Sequence, residues 1–113
     1  MTTFKKLDAH EFHHVLEEQG GIGIVMFTGE FCGSCRAWKQ LLQEYQKNNA
    51  VRLYEIDAER EMALTNEFDV FHLPALFLYK DGCYHSAIQC EASLSMLEKT
   101  IDDCLRNKAM EMP

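Results

Sequence analysis

The chain has 113 residues, 47% hydrophobic and 26% charged, with a net charge of −7, a composition that suits one folded domain over residues 1–113 and argues against a disordered or fibrous chain. Its Lys and Arg are scattered, with no run longer than Lys5-Lys6, so the grouped cations that displace counterions from phosphates are missing and nucleic acid is not an expected partner. No apolar run approaches the ~20 residues of a membrane span, and the opening Met1-Thr2-Thr3-Phe4-Lys5-Lys6 lacks the apolar stretch of a signal peptide, so a cytoplasmic monomer with no membrane partner is expected.

The elements follow in chain order. A short strand is expected at Thr3 to Lys5. Leu7 to Phe12 opens a helix that Asp8 caps, with Glu11 reaching back as a capping box and Leu7 and Phe12 forming a staple. Gly20-Gly21 stops it. Ile22 to Phe27 is an apolar run without strict alternation, the pattern of a strand buried on both faces. Glu30 to Cys35 is a loop leading into a helix whose Trp38, Leu41, Leu42 and Tyr45 share one face. Val51 to Ile56 reads as a strand, Asp57 to Phe68 as a short helix and Ala75 to Tyr79 as a third apolar strand. Asp81-Gly82 marks a hairpin with a strand returning over Cys83 to Cys90. The last helix carries Leu94, Leu97, Ile101 and Leu105, with a capping box at Ser95 to Glu98. Strands alternating with helices imply an α/β fold, a central mixed β-sheet flanked by helices on both faces.

Five cysteines are an odd number, which in a cytoplasmic chain points to a reactive pair with leftover thiols rather than a disulfide framework. Cys32 and Cys35 are the pair. Cys32 closes a loop and Cys35 lies in the first turn of a helix, a spacing that brings two Cα atoms within the ~4.4–6.8 Å of a disulfide. Gly33 lets the backbone bend between them. The helix N-terminus offers unpaired N–H groups and a positive dipole end, which favour the thiolate of Cys32. Cys32 is then the attacker of a substrate disulfide and Cys35 the thiol that resolves the mixed disulfide. The same spacing also occurs in zinc and iron–sulfur sites, and Cys32, Cys35, Cys90 and His72 are the residues such a site would use.

Taken together, Glu30-Phe31-Cys32-Gly33-Ser34-Cys35, Leu53-Tyr54-Glu55-Ile56-Asp57, His72-Leu73-Pro74-Ala75-Leu76 and Phe77-Leu78-Tyr79-Lys80-Asp81-Gly82 resemble, in order and spacing, the thioredoxin family. The resemblance implies the thioredoxin fold and a thiol–disulfide oxidoreductase that needs no cofactor. Its partners would be protein disulfides as substrates, with thioredoxin reductase or another dithiol as electron donor. It also implies a cis peptide at Leu73-Pro74 and a substrate-binding rim made of Phe31, Gly33, Ser34, Leu73, Pro74 and Cys90.

The chain departs from the family pattern at several positions. Met26 stands where the family has a buried Asp behind the second cysteine, and Leu53 where it often has the accompanying Lys. Charge and counter-charge are thus expected to be absent together. Cys35 would lose its proton to water or to another carboxylate such as Glu30, resolution would be slower, and Met26→Asp would raise it. Ser34 replaces a Pro that stiffens the loop, which implies a more oxidising couple. Thr28 and Phe31 replace tryptophans, and Phe31 keeps the apolar rim. These losses also admit a binding module with no redox activity, since a fold does not dictate a function. Of the other cysteines, Cys104 reads as a core residue, while Cys83 and Cys90 are expected on opposite faces of one strand, ~23 Å apart. His10, His13 and His14 are expected on the exposed side of the first helix.

Overall fold

The computed structural model describes residues 4–113. Its elements are β1 (Phe4–Lys6), α1 (Phe12–Glu17), β2 (Ile22–Thr28), α2 (Cys35–Lys47), β3 (Val51–Asp57), α3 (Met62–Glu67), β4 (Ala75–Lys80), β5 (Cys83–Ile88) and α4 (Leu94–Arg106). The sheet order is β1-β3-β2-β4-β5. β3 pairs parallel with both β1 and β2, and β4 runs antiparallel to β2 and β5. This is the expected mixed sheet. Thr3, the first residue of the expected opening strand, lies outside the described residues. No helix among the described residues is long and apolar enough to cross a membrane.

Side chains alternate across the sheet, and two cores result. Ile24 and Met26 of β2, Leu53 of β3, and Leu76 and Leu78 of β4 meet Cys35, Trp38, Leu42 and Tyr45 of α2 and Leu97 and Ile101 of α4. On the other face, Val25, Phe27, Tyr54, Ile56, Phe77 and Tyr79 meet Phe12 and Leu16 of α1, Leu64 of α3, and Phe68 just after it. The second core is aromatic: Phe68 stands within 6.2 Å, ring centre to ring centre, of Phe12, Phe27, Phe77 and Tyr84. β2 is apolar from Ile22 to Phe27 because it feeds both cores.

The end of the sheet away from the cysteines is closed by a clasp. Asp81 (φ 51°) and Gly82 (φ 83°) make the two-residue turn between β4 and β5, the left-handed geometry that favours Asp-Gly. Asp81 Oδ1 accepts from the Gly21 N–H at 2.7 Å, and the Asp81 N–H donates to the Gly21 carbonyl at 2.8 Å. A Cβ at position 82 would stand 2.7 Å from the Glu17 carbonyl oxygen, so this turn requires glycine.

Several element ends differ from expectation, each for a local reason. Asp8 does accept from the Glu11 N–H, at 2.9 Å, but the segment it caps is a turn, and α1 proper begins at Phe12. The expected helix over Asp57 to Phe68 shortens to α3, because the Asp57 carboxylate takes the Glu59 and Arg60 N–H groups and holds a turn there. The cap of α4 is Ser93, whose hydroxyl accepts from the Met96 N–H, not the expected box starting at Ser95. β5 ends at Ile88 and carries an irregularity opposite Leu78 and Tyr79, so Cys90 lies beyond the strand and Cys83 and Cys90 do not share its regular alternation.

Candidate active site

The site forms where central strand β2 ends and α2 begins. Cys32 and Cys35 are joined as a disulfide, with Cα atoms 5.4 Å apart. The turn is tight: the Cys32 N–H donates to the Gly29 carbonyl and the Cys35 N–H to the Cys32 carbonyl, both at 3.3 Å. Ser34 occupies the position before α2 but makes no side-chain cap. Its hydroxyl lies 4.0 Å from Cys32 Sγ, close enough to respond to a charge that forms there.

The two sulfurs differ in access. Cys32 is half-buried and Cys35 buried, at 6% exposure. Cys32 sits where the first N–H groups of α2 have no partner within the helix, a setting that stabilises a thiolate. Cys35 faces the apolar core with Met26 and Trp38. The accessible, dipole-facing sulfur suits attack on a partner's disulfide, and the enclosed sulfur suits its resolution.

The expected rim residues are placed as follows. Leu73-Pro74 is a cis peptide. Leu73 packs between the two cores, and its Cδ1 would stand 2.7 Å from a Cβ at Gly29, so a side chain at position 29 would push the tip of Leu73 aside. Pro74 lines a cavity of about 520 Å³ together with Trp38, Phe71, His72 and Cys90. Cys90 is half-buried and packs against the core that holds Cys32 and Cys35. Gly33 and Ser34 are exposed on the loop. Phe31 is 91% exposed and Phe71 84% exposed. Phe71, which no motif singled out, adds a second apolar ring at this end. Its signal in the sequence was a large aromatic residue two positions before Leu73.

Cys83, Cys90 and Cys104 are free thiols. Cys104 lies at the back of the same core, its Sγ 3.9 Å from the Ala87 carbonyl oxygen. Among the described residues no three His, Cys, Asp or Glu side chains converge on a point that would hold an ion, so Cys32, Cys35, Cys90 and His72 do not form such a group. His10, His13 and His14 are exposed, His13 against Glu67 at 2.9 Å.

This face also holds a charged side chain that no motif singled out. Met26 and Leu53 are indeed apolar and buried, but buried charge is not absent from this face. Glu55 of β3 is 6% exposed. Its Oε2 accepts from the Thr28 hydroxyl at 2.8 Å and stands 2.8 Å from Lys39 Nζ of α2. Glu30, the carboxylate suggested for proton transfer, is exposed on the loop, where its N–H donates to Glu59 Oε1. The buried carboxylate therefore comes from β3, and its sequence signal was a lone charged residue inside the run Leu53-Tyr54-Glu55-Ile56.

The thioredoxin family model matches residues 3–103. The mouse protein "Thioredoxin domain-containing protein 2" is 34% identical over 76 residues, covering 66% of this chain and 15% of its own length. The Arabidopsis thaliana protein "Thioredoxin Y2, chloroplastic" is 24% identical over 106 residues, covering 92% of this chain and 64% of its own length. The chain thus spans less than two thirds of the length of these curated relatives. The crystal structure of Chlamydomonas reinhardtii thioredoxin f2 superposes with a TM-score of 0.75 at 21% identity, covering 93% of this chain and 99% of that one. With matching fold, cysteine pair and family model, the chain belongs to the thioredoxin family.

Proposed function

We propose that the protein is a thiol–disulfide oxidoreductase acting on protein disulfides through the Cys32–Cys35 couple. The observation that carries this reading is the asymmetry of the pair: a disulfide at the start of α2 with one sulfur within reach and the other enclosed. In the reducing direction Cys32 thiolate attacks a substrate disulfide, forms the mixed disulfide and releases one substrate thiolate. Cys35 thiolate then attacks Cys32 Sγ, releases the second substrate thiolate and regenerates the internal disulfide. A dithiol donor, thioredoxin reductase or another, returns two electrons for the next cycle.

The substrate rim in this reading is Phe31, Gly33, Ser34, Leu73, Pro74 and Cys90. Two exposed rings, Phe31 and Phe71, favour an extended segment with apolar residues beside its cysteine. The proposed setting is the cytoplasm, with the protein acting as a monomer apart from nucleic acid and membranes. The odd cysteine count, the absence of a cation cluster and the net charge of −7 support it.

The test is reduction of a protein disulfide with a dithiol as donor. Cys32→Ser is expected to abolish turnover, and Cys35→Ser to accumulate a stable mixed disulfide on Cys32. Full activity in Cys32→Ser would sink the reading.

A further inference from the structure

β5 is the last strand of the sheet, so one of its sides offers N–H and C=O groups that no neighbouring strand pairs. Leu78 faces Ser86 and Tyr79 faces Tyr84, which leaves His85 without a register partner on β4, the mark of a bulge. The segment after α4 uses this residue twice. The His85 ring donates from Nε2 to the Cys104 carbonyl at 2.5 Å, which ties the last turn of α4 to β5. The His85 carbonyl accepts the Met110 N–H at 2.6 Å. Between these contacts Asn107 closes α4. Its N–H donates to the Cys104 carbonyl, its side-chain amide donates to the Asp103 carbonyl, and its backbone is extended at φ −96° and ψ 161°. The chain is turned off the helix and laid along the edge of β5.

From Met110, three further residues span up to about 10 Å and reach Pro113. Pro113 lines the cavity of about 520 Å³ at the end of β5, with Trp38, Pro74, Ile88 and Cys90. The segment thus begins at the middle of the edge strand and ends in the rim assigned to substrate. Its residues suit that place. Ala109, Met110, Met112 and Pro113 are apolar, and no cysteine stands among them, so the segment offers nothing for Cys32 to attack. The hold is light. Residues 108–113 are exposed, and among the described residues the Met110 N–H makes their one hydrogen bond to β5. Such a contact opens readily, but the tether keeps the segment beside the rim at an effective concentration on the order of mM.

We propose that Lys108 to Pro113 form an internal strap over the Pro74 and Cys90 end of the groove, which a protein substrate displaces in order to dock. This rests on the oxidoreductase reading. The strap selects against substrates that bind the groove weakly, because each must first break the Met110 contact. The competing account is a segment that lies on β5 and guards nothing.

The first test reads the strap without turnover. With the Cys32–Cys35 disulfide intact, iodoacetamide labels the free thiols, and peptide mass spectrometry gives the rate at Cys90 relative to Cys83, which is exposed and outside that cavity. Stopping the chain after Asn107 is expected to raise this ratio at least ~3-fold, the scale of one weak hydrogen bond lost. Met110→Pro removes the N–H and keeps the length, and should raise it in the same way. A ratio unmoved in either variant overturns the strap. The second test uses insulin as the disulfide substrate and dithiothreitol as donor. KM should fall about two- to tenfold in both variants with kcat unchanged, while the rate with oxidised glutathione, too small to need the groove, stays as it was. An unmoved KM for insulin, or an equal change with glutathione, overturns the competition with substrate. If the unmodified protein reduces neither disulfide, the oxidoreductase reading fails, and the Cys90 ratio still judges the strap.

Discussion

The two faces of the sheet are built to different rules. The face toward α1 and α3 is a closed aromatic cluster around Phe68. The face toward α2 and α4 holds mostly aliphatic side chains beside Trp38 and Tyr45, the disulfide, and the buried Glu55 with Lys39 and Thr28. A buried ion pair costs desolvation that an apolar pair of equal volume avoids. An aromatic core gains from every ring it encloses, about 0.5–1.5 kcal/mol per well-placed pair beyond the area buried. The contrast teaches that one face supplies stability and the other gives some of it up for chemistry. The two should therefore respond differently to mutation.

The largest expected effect lies on the aromatic face. Phe68→Ala removes a ring that is 1% exposed and touches four others, so unfolding stability should fall by about 3–5 kcal/mol in denaturant titration. The exchange rate per folded molecule should stay as it was. A lost exchange rate with unchanged stability would break the division between faces. On the other side, Ser34→Pro stiffens the exposed loop without touching either core. It should make the couple more reducing by on the order of 1 kcal/mol, or about 20 mV for two electrons, with little change in melting temperature. Equilibration with a redox buffer of known potential measures it, and a rise in potential would contradict the role assigned to Ser34.

The smallest effect needs alkaline pH. Burial raises the pKa of Tyr79 well above 10, and raises those of Tyr84 and Tyr54 on the same face. Tyr45, on the α2 side, is raised by burial and then by Asp102 and Glu98. In each case the folded state favours the neutral phenol. Their contribution is complete below the unfolded value of ~10 and is lost as pH rises through the folded values. Stability should thus be flat with respect to these groups up to about pH 9 and decline above pH 10, with Tyr79→Phe softening the decline. The buried Tyr79 hydroxyl has no hydrogen-bond partner among the described residues, so that replacement leaves no group there unpaired.

Much of this architecture was legible in the chain. The runs around Ile24, Leu53 and Phe77 announced strands, the first of them buried on two faces, and the spacing of Trp38, Leu41, Leu42 and Tyr45 announced α2. Cys32 and Cys35 were visible from spacing alone. Element ends were harder, because they turn on single side-chain bonds. Asp57 could have started a helix but holds a turn instead, and Ser93 rather than Ser95 reaches a free N–H. The buried pairing of Glu55 was illegible for another reason. Its partners Thr28 and Lys39 are 27 and 16 residues away in sequence, and only the register of β2 with β3 and the seating of α2 bring the three together.

The position of β2 in the middle of the sheet has a consequence for hydrogen exchange. Its amides are bonded to β3 on one side and β4 on the other, so they open only when the whole sheet opens, while in the loop from Gly29 to Ser34 the Glu30 and Cys32 N–H groups are held outside the ladder by single local bonds and exchange sooner. Strongly and weakly protected amides should therefore lie within a few residues of each other. Cys32 is carried on a short turn rooted in the strand most protected by the ladder, so the turn can open locally while the sheet behind it keeps one form.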